Sequence, residues 1–326
     1  MMSPILLAVP NISEGRDEHA IAAIGYAFAD GVRLLDVHSD RDHHRTVFTL
    51  AGQPGDLAQA LLRGAREAVE RIDVMTDPPR SDRSHGGQHP YVGAVDVVPV
   101  VYLDEGARGA ACAEALVVAD RIGEELGVPV FLYGELSGER LRAELRRGGV
   151  AGLAERMRAG ESKPDFGPAR MHPTAGATLI AARPPLVAFN LELAPPATVR
   201  DARTIAGLIR EGGAKGLPGV RAIGVALSGA VVEASGASRA PGSAARAEVP
   251  EARTEKGMVA QVSMNVERPA EMPLATVVEA VRKHAEVTRA ELVGLAPRAA
   301  MEGFPEDVPL PGFDPARHVL ENALGS

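Results

Sequence analysis

Short apolar segments typical of strands alternate with amphipathic segments typical of helices along this chain, in a similar order in its two halves. The first series starts at Ile5–Val9 and the second at Ala175. Two pairs of predicted strands follow each other without a helix, which favours mixed sheets over purely parallel ones. We therefore predict an α+β fold of two ferredoxin-like subdomains, residues 1–182 and 183–326, each a mixed β-sheet with helices packed on one face.

Composition and charge restrict the classes of function. With 45% hydrophobic and 24% charged residues, the chain has a globular composition and enough length for two domains. Its net charge of -8 argues against general binding to nucleic acids or anionic membranes. The single cysteine, Cys112, excludes an intrachain disulfide, and the N-terminus lacks the long apolar core of a signal peptide. We expect a cytoplasmic protein without membrane spans.

Two histidines, His85 and His89, lie four residues apart in a glycine-rich stretch just before a predicted buried strand, Val95–Tyr102. Pro90 fixes the backbone after His89 and biases His89 toward an extended conformation. A histidine held on a stiff loop beside a strand end suits proton transfer near neutral pH. The alternative is a surface turn whose histidines face water.

Six of the nine histidines fall in three predicted loops, which suggests two kinds of chemistry. The first is a metal site, since histidine and aspartate are ligands for zinc or iron, but the spacing matches no specific metal motif. The second is metal-free group transfer with His89 as general acid and base, and with Arg45 and Arg183 binding carboxylates. Either arginine could equally form a structural ion pair. The histidines concerned are His38, His43, His44, His85, His89 and His172.

Three further segments carry local predictions. Residues 139–158 are helical, charged and rich in arginine, which favours a solvated cover over a site. Residues 163–173 contain three prolines and predict a long irregular loop, a kind of segment that is often functional. Residues 233–257 lack hydrophobic periodicity and predict a flexible loop.

A set of short segments, in order from residue 9 onward, resembles the glutamate formimidoyltransferase family, the transferase half of formimidoyltransferase-cyclodeaminase. No single segment is specific, but the ordered set is. The matching segments are Val9–Arg16, Leu34–Val37, Arg45–Thr49, His89–Asp96, Pro129–Glu135, Pro164–Pro168, Gly176–Thr178, Ala182–Arg183, Ala188–Asn190 and Gln261–Asn265.

The resemblance implies a homodimer with two α+β subdomains and with tetrahydrofolate as co-substrate, bound between the subdomains. It implies that N5 of tetrahydrofolate attacks the formimino carbon of N-formimino-L-glutamate and that His89, aligned with the family's catalytic histidine, moves the proton. His38 and Asp40 would assist catalysis. Substrate-binding residues would be Asn11, His44, Arg45 and Arg183. Folate-binding residues would be Asp165, Phe166, Gly167, Gly176, Ala177 and Thr178.

Departures from the family pattern keep other hypotheses open. The mammalian form has an acidic residue where this chain has His38, an asparagine where it has His44, and a tryptophan where it has Ala175. Asp40 or Asp42 could replace the acidic residue, or the donor could differ. The alternatives are formyl transfer between 5-formyltetrahydrofolate and glutamate, a non-catalytic folate-binding protein, and a metal-dependent hydrolase.

Overall fold

The computed structural model describes residues 3–76, 90–138, 140–228 and 258–325. The chain divides into two compact units, one of Met1–Pro185 with Ala316–Ser326 and one of Leu186–Pro315. Each unit is built around a β-sheet with helices, which confirms the predicted α+β class. The sequence suggested one boundary, after residue 182, whereas the structure returns the last residues of the chain to the first unit.

The first unit contains a seven-stranded mixed sheet. Strand β4 pairs antiparallel with β3 on one side and with both β1 and β2 on the other, so that β1 and β2 act as one interrupted strand. Strands β1 and β2 also pair with β5, and β5, β7 and β6 then run parallel to one another. The strands are β1 (Leu6–Ala8), β2 (Asn11–Ile12), β3 (Arg33–Asp40), β4 (Arg45–Gly52), β5 (Val95–Val101), β6 (Val130–Leu132) and β7 (Thr178–Arg183).

Three helices cover one face of this sheet: α1 (Glu18–Ala29), α2 (Asp56–Arg71) and α3 (Arg108–Leu126). They bury their apolar stripes in one core with the facing residues of the strands. Phe28 of α1 packs against Phe48 of β4 with ring centroids 5.2 Å apart. Gly64 of α2 permits this packing, because a Cβ there would lie 2.0 Å from the Phe28 ring.

Two shorter helices, α4 (Arg142–Arg146) and α5 (Gly149–Arg158), cover the opposite face. The buried side chains of Leu145, Leu153 and Met157 form a separate core with residues of β5, β6 and β7. The prediction of a solvated cover at 139–158 is therefore wrong in part, and helices lie on both faces of this sheet. Six arginines share this segment with the three buried apolar residues, which hid the buried stripe.

The second unit has the βαββαβ order of a ferredoxin-like fold. Its four-stranded sheet has the order β11-β8-β10-β9 and is wholly antiparallel, not mixed as predicted. Each helical connection joins two parallel strands that are not neighbours, because an antiparallel strand lies between them. The elements are β8 (Val187–Leu193), α6 (Val199–Ile209), β9 (Val220–Ser228), β10 (Met258–Val266), α7 (Leu274–Arg282) and β11 (Val287–Val293).

The core of the second unit follows the two-residue period of its strands. Val187, Phe189, Leu191 and Leu193 of β8 are all fully buried against the apolar sides of α6 and α7. Thr198 caps α6, and the side chain of Asp201 accepts hydrogen bonds from the backbone N–H and hydroxyl of Thr198. The predicted loop 233–257 lies outside the described residues.

The final helices, α8 (Pro315–His318) and α9 (Leu320–Leu324), end beside β3 of the first unit. The guanidinium of Arg33 donates to the carbonyl oxygens of Ala323 (2.6 Å) and Leu324 (3.2 Å). These are terminal carbonyls of α9 that lack a partner within the helix. The C-terminal residues thus pack against the edge strand of the seven-stranded sheet. Among the described residues, no helix has the length and apolar character needed to cross a membrane.

Candidate active site

Four of the residues singled out from the sequence lie on one face of the seven-stranded sheet. Asn11 and His38 are both directly opposite Val47, and Asp40 is opposite Arg45. Directly paired residues of antiparallel strands point to the same side, as do residues two apart in one strand. This face is the one turned away from α1, since the alternate residue of β4, Phe48, contacts Phe28.

The turn between β3 and β4 is shaped by Asp40. Its Oδ1 accepts hydrogen bonds from the backbone N–H groups of Asp42 (2.8 Å) and His43 (2.9 Å). This is the local pattern by which aspartate stabilises turns. The Oδ2 atom lies 3.7 Å from Nε2 of the nearly buried His43 side chain. Asp40 therefore holds its own turn and also provides a carboxylate oxygen next to an imidazole.

His44, the next residue, has a left-handed conformation with φ 48°. Its Nδ1 accepts a hydrogen bond from the backbone N–H of Gly15 (2.9 Å) and lies 3.4 Å from a carboxylate oxygen of Glu14. Burial lowers the pKa of His44, which outweighs the raising effect of Glu14. An Nδ1 atom that accepts from a backbone N–H must be unprotonated, so the geometry and the pKa both favour neutral His44.

Asp96 is a fully buried carboxylate at the start of β5, next to this face. Its Oδ2 lies 3.3 Å from Nη2 of Arg45 and forms a second ion pair with Nη2 of Arg146 from α4. Burial lowers the pKa of Arg45 and lowers that of Arg146 to about 10, and in both cases it outweighs the raising effect of Asp96. Guanidinium groups are not deprotonated in proteins, so both side chains are treated as charged.

The stretch that contains His85 and His89 lies outside the described residues, and the described chain resumes at Pro90. The residues just after Pro90 are firmly anchored. The backbone N–H of Val92 donates to Oδ1 of Asp96 (3.0 Å), and the carbonyl of Gly93 accepts from the hydroxyl of Ser13 (2.8 Å). Burial raises the pKa of Tyr91 to about 12, so its phenol is neutral.

The six residues predicted to bind folate fall into two places, of which the first is beside Gly93. Gly176, Ala177 and Thr178 lie there, and a Cβ on Gly93 would be 1.9 Å from the carbonyl oxygen of Ala177. Ala177 and Thr178 are themselves buried. The backbone of this segment therefore packs closely against the segment that leads into β5.

The second place is the edge of β6, along which Asp165, Phe166 and Gly167 run. The carboxylate of Asp165 accepts from the backbone N–H of Leu132 (2.7 Å) and pairs with Arg140 (2.7 Å). Phe166 packs against the core, and Gly167 has φ 76°. In the described structure these residues hold backbone segments together, and their role toward folate stays a prediction.

Arg183 lies apart from the four residues on the shared face, and His172 lies in a turn of its own. Arg183, at the end of β7, pairs with Val101 of β5. Asn11 pairs with Val97, four residues earlier in β5, which corresponds to roughly 13 Å along the strand. His172 forms a turn in which its Nδ1 accepts from the backbone N–H of Ala175 (3.0 Å), and burial lowers its pKa. His172 thus has a structural part in the loop.

Sequence reasoning missed two residues of this region, Asp96 and Arg146. Asp96 lies within a matching segment, and it interrupts an otherwise apolar strand, which was an available signal. Arg146 carried no signal, because it is one of many arginines in a charged segment. Within the described ranges, no three histidine, cysteine or acidic side chains come together as metal ligands.

Comparison with known proteins adds independent information. A family model described as the formiminotransferase domain, N-terminal subdomain, matches residues 5–183. A glutamate formimidoyltransferase of Streptococcus pyogenes serotype M1 is 32% identical over 334 residues, which cover 99% of this chain and 99% of that protein. A protein of the same name from Thermoplasma acidophilum is 31% identical, covering 97% of this chain and 96% of its own.

Longer relatives match as well. The formimidoyltransferase-cyclodeaminase of Rattus norvegicus is 35% identical over 319 residues, which cover 92% of this chain. The matched part is 51% of that relative, so the chain spans about half of its length.

Proposed function

The chain belongs to the formiminotransferase family, and from that premise we propose that it transfers the formimino group of N-formimino-L-glutamate to N5 of tetrahydrofolate. The products are 5-formiminotetrahydrofolate and L-glutamate. The observation that carries this proposal is the similarity to a glutamate formimidoyltransferase over 99% of both chains. Because that similarity covers both units, it applies to the whole chain and not to one domain.

The reaction requires one proton to move from one nitrogen to another. The lone pair of N5 attacks the formimino carbon, and the C=N bond becomes a single bond in a tetrahedral intermediate. The C=N bond then reforms while the bond between this carbon and the glutamate nitrogen breaks. The proton lost by N5 is gained by the leaving glutamate nitrogen, so a single base that can return its proton serves both steps.

His89 is our candidate for that base, because its family position is the catalytic one and imidazole titrates near neutral pH. The described geometry supports this assignment through its neighbours. The segment that begins one residue after His89 is fixed by Asp96, which also binds Arg45 on the face shared with Asn11 and Asp40. The chain that follows His89 therefore leads into the region of Asp96, Arg45 and Asp40.

In the family's mammalian form, an acidic residue stands where this chain has His38. We assign the catalytic role of that residue to Asp40. Asp40 lies two residues along β3 from His38 and projects from the same face, and one of its carboxylate oxygens is close to His43. Its negative charge would favour the cationic form of a nearby imidazole in the transition state. Asn11, His44 and Arg45 would bind the donor, with Arg183 at a more distant carboxylate.

Tetrahydrofolate is the co-substrate that the family implies, and we propose that residues 165–167 and 176–178 contribute to its binding. We also propose a homodimer in the cytoplasm, in line with the family resemblance and the single cysteine.

A turnover assay with purified protein, tetrahydrofolate and N-formimino-L-glutamate tests the function. Product is followed by acid conversion to methenyltetrahydrofolate and its absorbance. We expect H89A to lose roughly 10²- to 10⁴-fold in kcat, the usual contribution of general acid–base catalysis. The control is H19A, since His19 is an exposed residue of α1. Equal loss in both variants, or none in H89A, would reject His89 as the base.

The same assay separates the formimino donor from the formyl donor. The names of the relatives favour the formimino donor. Faster turnover with glutamate and 5-formyltetrahydrofolate would reverse that choice.

A further inference from the structure

Five charged groups lie together around the start of β5, and their charges do not balance. Arg45 and Arg146 contact the buried carboxylate of Asp96. Arg142 is close enough for its positive charge to lower the pKa of both other arginines, and Asp40 is close enough to raise that of Arg45. Counted over the described residues of this cluster, three guanidinium groups against two carboxylates leave one positive charge in excess.

Within the described part of the chain, Arg142 is the arginine of this cluster that has no ion pair. It lies four residues before Arg146 on α4, so the two side chains project from the same side of the helix. Like charges at this spacing are mutually unfavourable. Arg142 is half-buried, and among the described residues its side chain makes no hydrogen bond and no ion pair. Its five guanidinium N–H donors are therefore not used by that part of the protein.

Arg146 provides a second, independent observation. Its side chain is 7% exposed, and Nη2 binds Asp96, but the buried Nε atom has no hydrogen-bond acceptor among the described residues. Buried hydrogen-bond donors in proteins nearly always have an acceptor, so an unpaired one indicates that a further group binds there. Arg142 and Arg146 thus both offer unused donors next to one buried carboxylate.

We propose that Arg142, together with Arg45 and Arg146, binds a carboxylate group of a substrate. A carboxylate carries one negative charge, which matches the single positive charge in excess. Its two oxygens also match the planar fork of a guanidinium group, which binds carboxylates through two parallel hydrogen bonds. Asp96 holds Arg45 and Arg146 in place through ion pairs, and the side chain of Arg142 is available to bind the ligand.

This inference rests on the proposed function, in which two molecules carry glutamyl carboxylates. One is N-formimino-L-glutamate, and the other is the glutamate tail of tetrahydrofolate. Both present the same chemistry to Arg142, and separate kinetic measurements distinguish them.

The experiment compares R142Q with R147Q in the full chain. Arg147 is an exposed neighbour whose described hydrogen bonds use only its backbone, so it serves as the matched control. We expect R142Q to raise KM for one substrate roughly 10- to 100-fold, the usual effect of losing a charge-assisted hydrogen bond. The kcat should change little, and R142K should recover part of the loss. R147Q should behave as the wild type.

The substrate whose KM rises identifies the carboxylate. If KM rises only for N-formimino-L-glutamate, Arg142 binds a carboxylate of the donor. If KM rises only for tetrahydrofolate, Arg142 binds a carboxylate of its glutamate tail. If the wild type turns over and R142Q leaves both KM values unchanged, the inference is wrong and the proposed function stands.

If the wild type does not turn over, the proposed function fails, and calorimetric binding of L-glutamate to the wild type and R142Q then decides the inference. Weaker binding to R142Q supports it, and equal binding or no binding to the wild type rejects it.

Discussion

Two buried carboxylates of the first unit have opposite surroundings. Glu114, on α3, accepts three hydrogen bonds from the start of α2: Gly55 N–H to both carboxylate oxygens (2.8 and 2.9 Å) and Ala58 N–H to one (2.6 Å). Asp96 contacts two arginines, with a third nearby. Glu114 is 5% exposed and Asp96 0%.

The difference separates a structural carboxylate from one in a binding region. Gly55 leaves α2 without a side-chain cap, and Glu114 supplies the missing acceptor from another helix. Negative charge is favourable at a helix N-terminus, so this carboxylate is satisfied by neutral backbone groups. Around Asp96 the described arginines outnumber the described carboxylates, which leaves binding capacity for an anion.

The largest effect should come from removing the charge of Asp96. D96N leaves Arg45 and Arg146 buried without their shared counter-charge, so we expect the free energy of unfolding to fall by about 3–5 kcal/mol. Urea denaturation followed by circular dichroism measures it. The double variant D96N/R146M should regain part of the stability, because one uncompensated buried charge is gone. Single and double variants of equal stability would contradict the role of Asp96 as a shared counter-charge.

A smaller effect is expected at Glu114. E114Q keeps one acceptor oxygen but turns an amide NH₂ toward backbone N–H donors, which should lower the free energy of unfolding by about 1–3 kcal/mol. Substrate KM values should not change, because the residue caps a helix on the other side of the sheet. A raised KM in folded E114Q would remove the distinction between the two carboxylates.

The smallest effect concerns pH. Burial lowers the pKa of His44 below its ordinary value of 6.5, so on acidification the unfolded chain binds the proton first. The contribution of neutral His44 is complete above pH 6.5 and is lost as the pH falls through its folded-state pKa. H44N keeps an acceptor for Gly15 and tolerates a positive φ, so its stability should fall less between pH 7 and 5.

Much of the fold could be predicted from local patterns. The alternation of apolar and amphipathic segments predicted the α+β class and the two series of elements, since each element places one side in a core. The antiparallel sheet of the second unit and the helices on both faces of the first could not be predicted in this way. Strand order and packing partners depend on contacts between distant residues, which local periodicity does not encode.

The site was predicted in part for similar reasons. Asn11, His38, Asp40 and Arg45 were chosen separately, and strand register places them on one face. Arg142 and Arg146 were set aside as solvated, because nothing in a run of arginines marks the one that will meet a buried carboxylate fifty residues earlier.

The sequence by itself determined the alternation of strands and helices, the two-part organisation and the family, because periodicity and ordered motifs are properties of the linear chain. Only the tertiary structure decided the partners of its buried charges. Asp96 meets Arg146, and Glu114 caps α2, through contacts between residues fifty or more positions apart. Such contacts decide whether a charge is paired, as at Glu114, or left in excess, as at the half-buried Arg142, and an unpaired charge becomes more costly as it is buried.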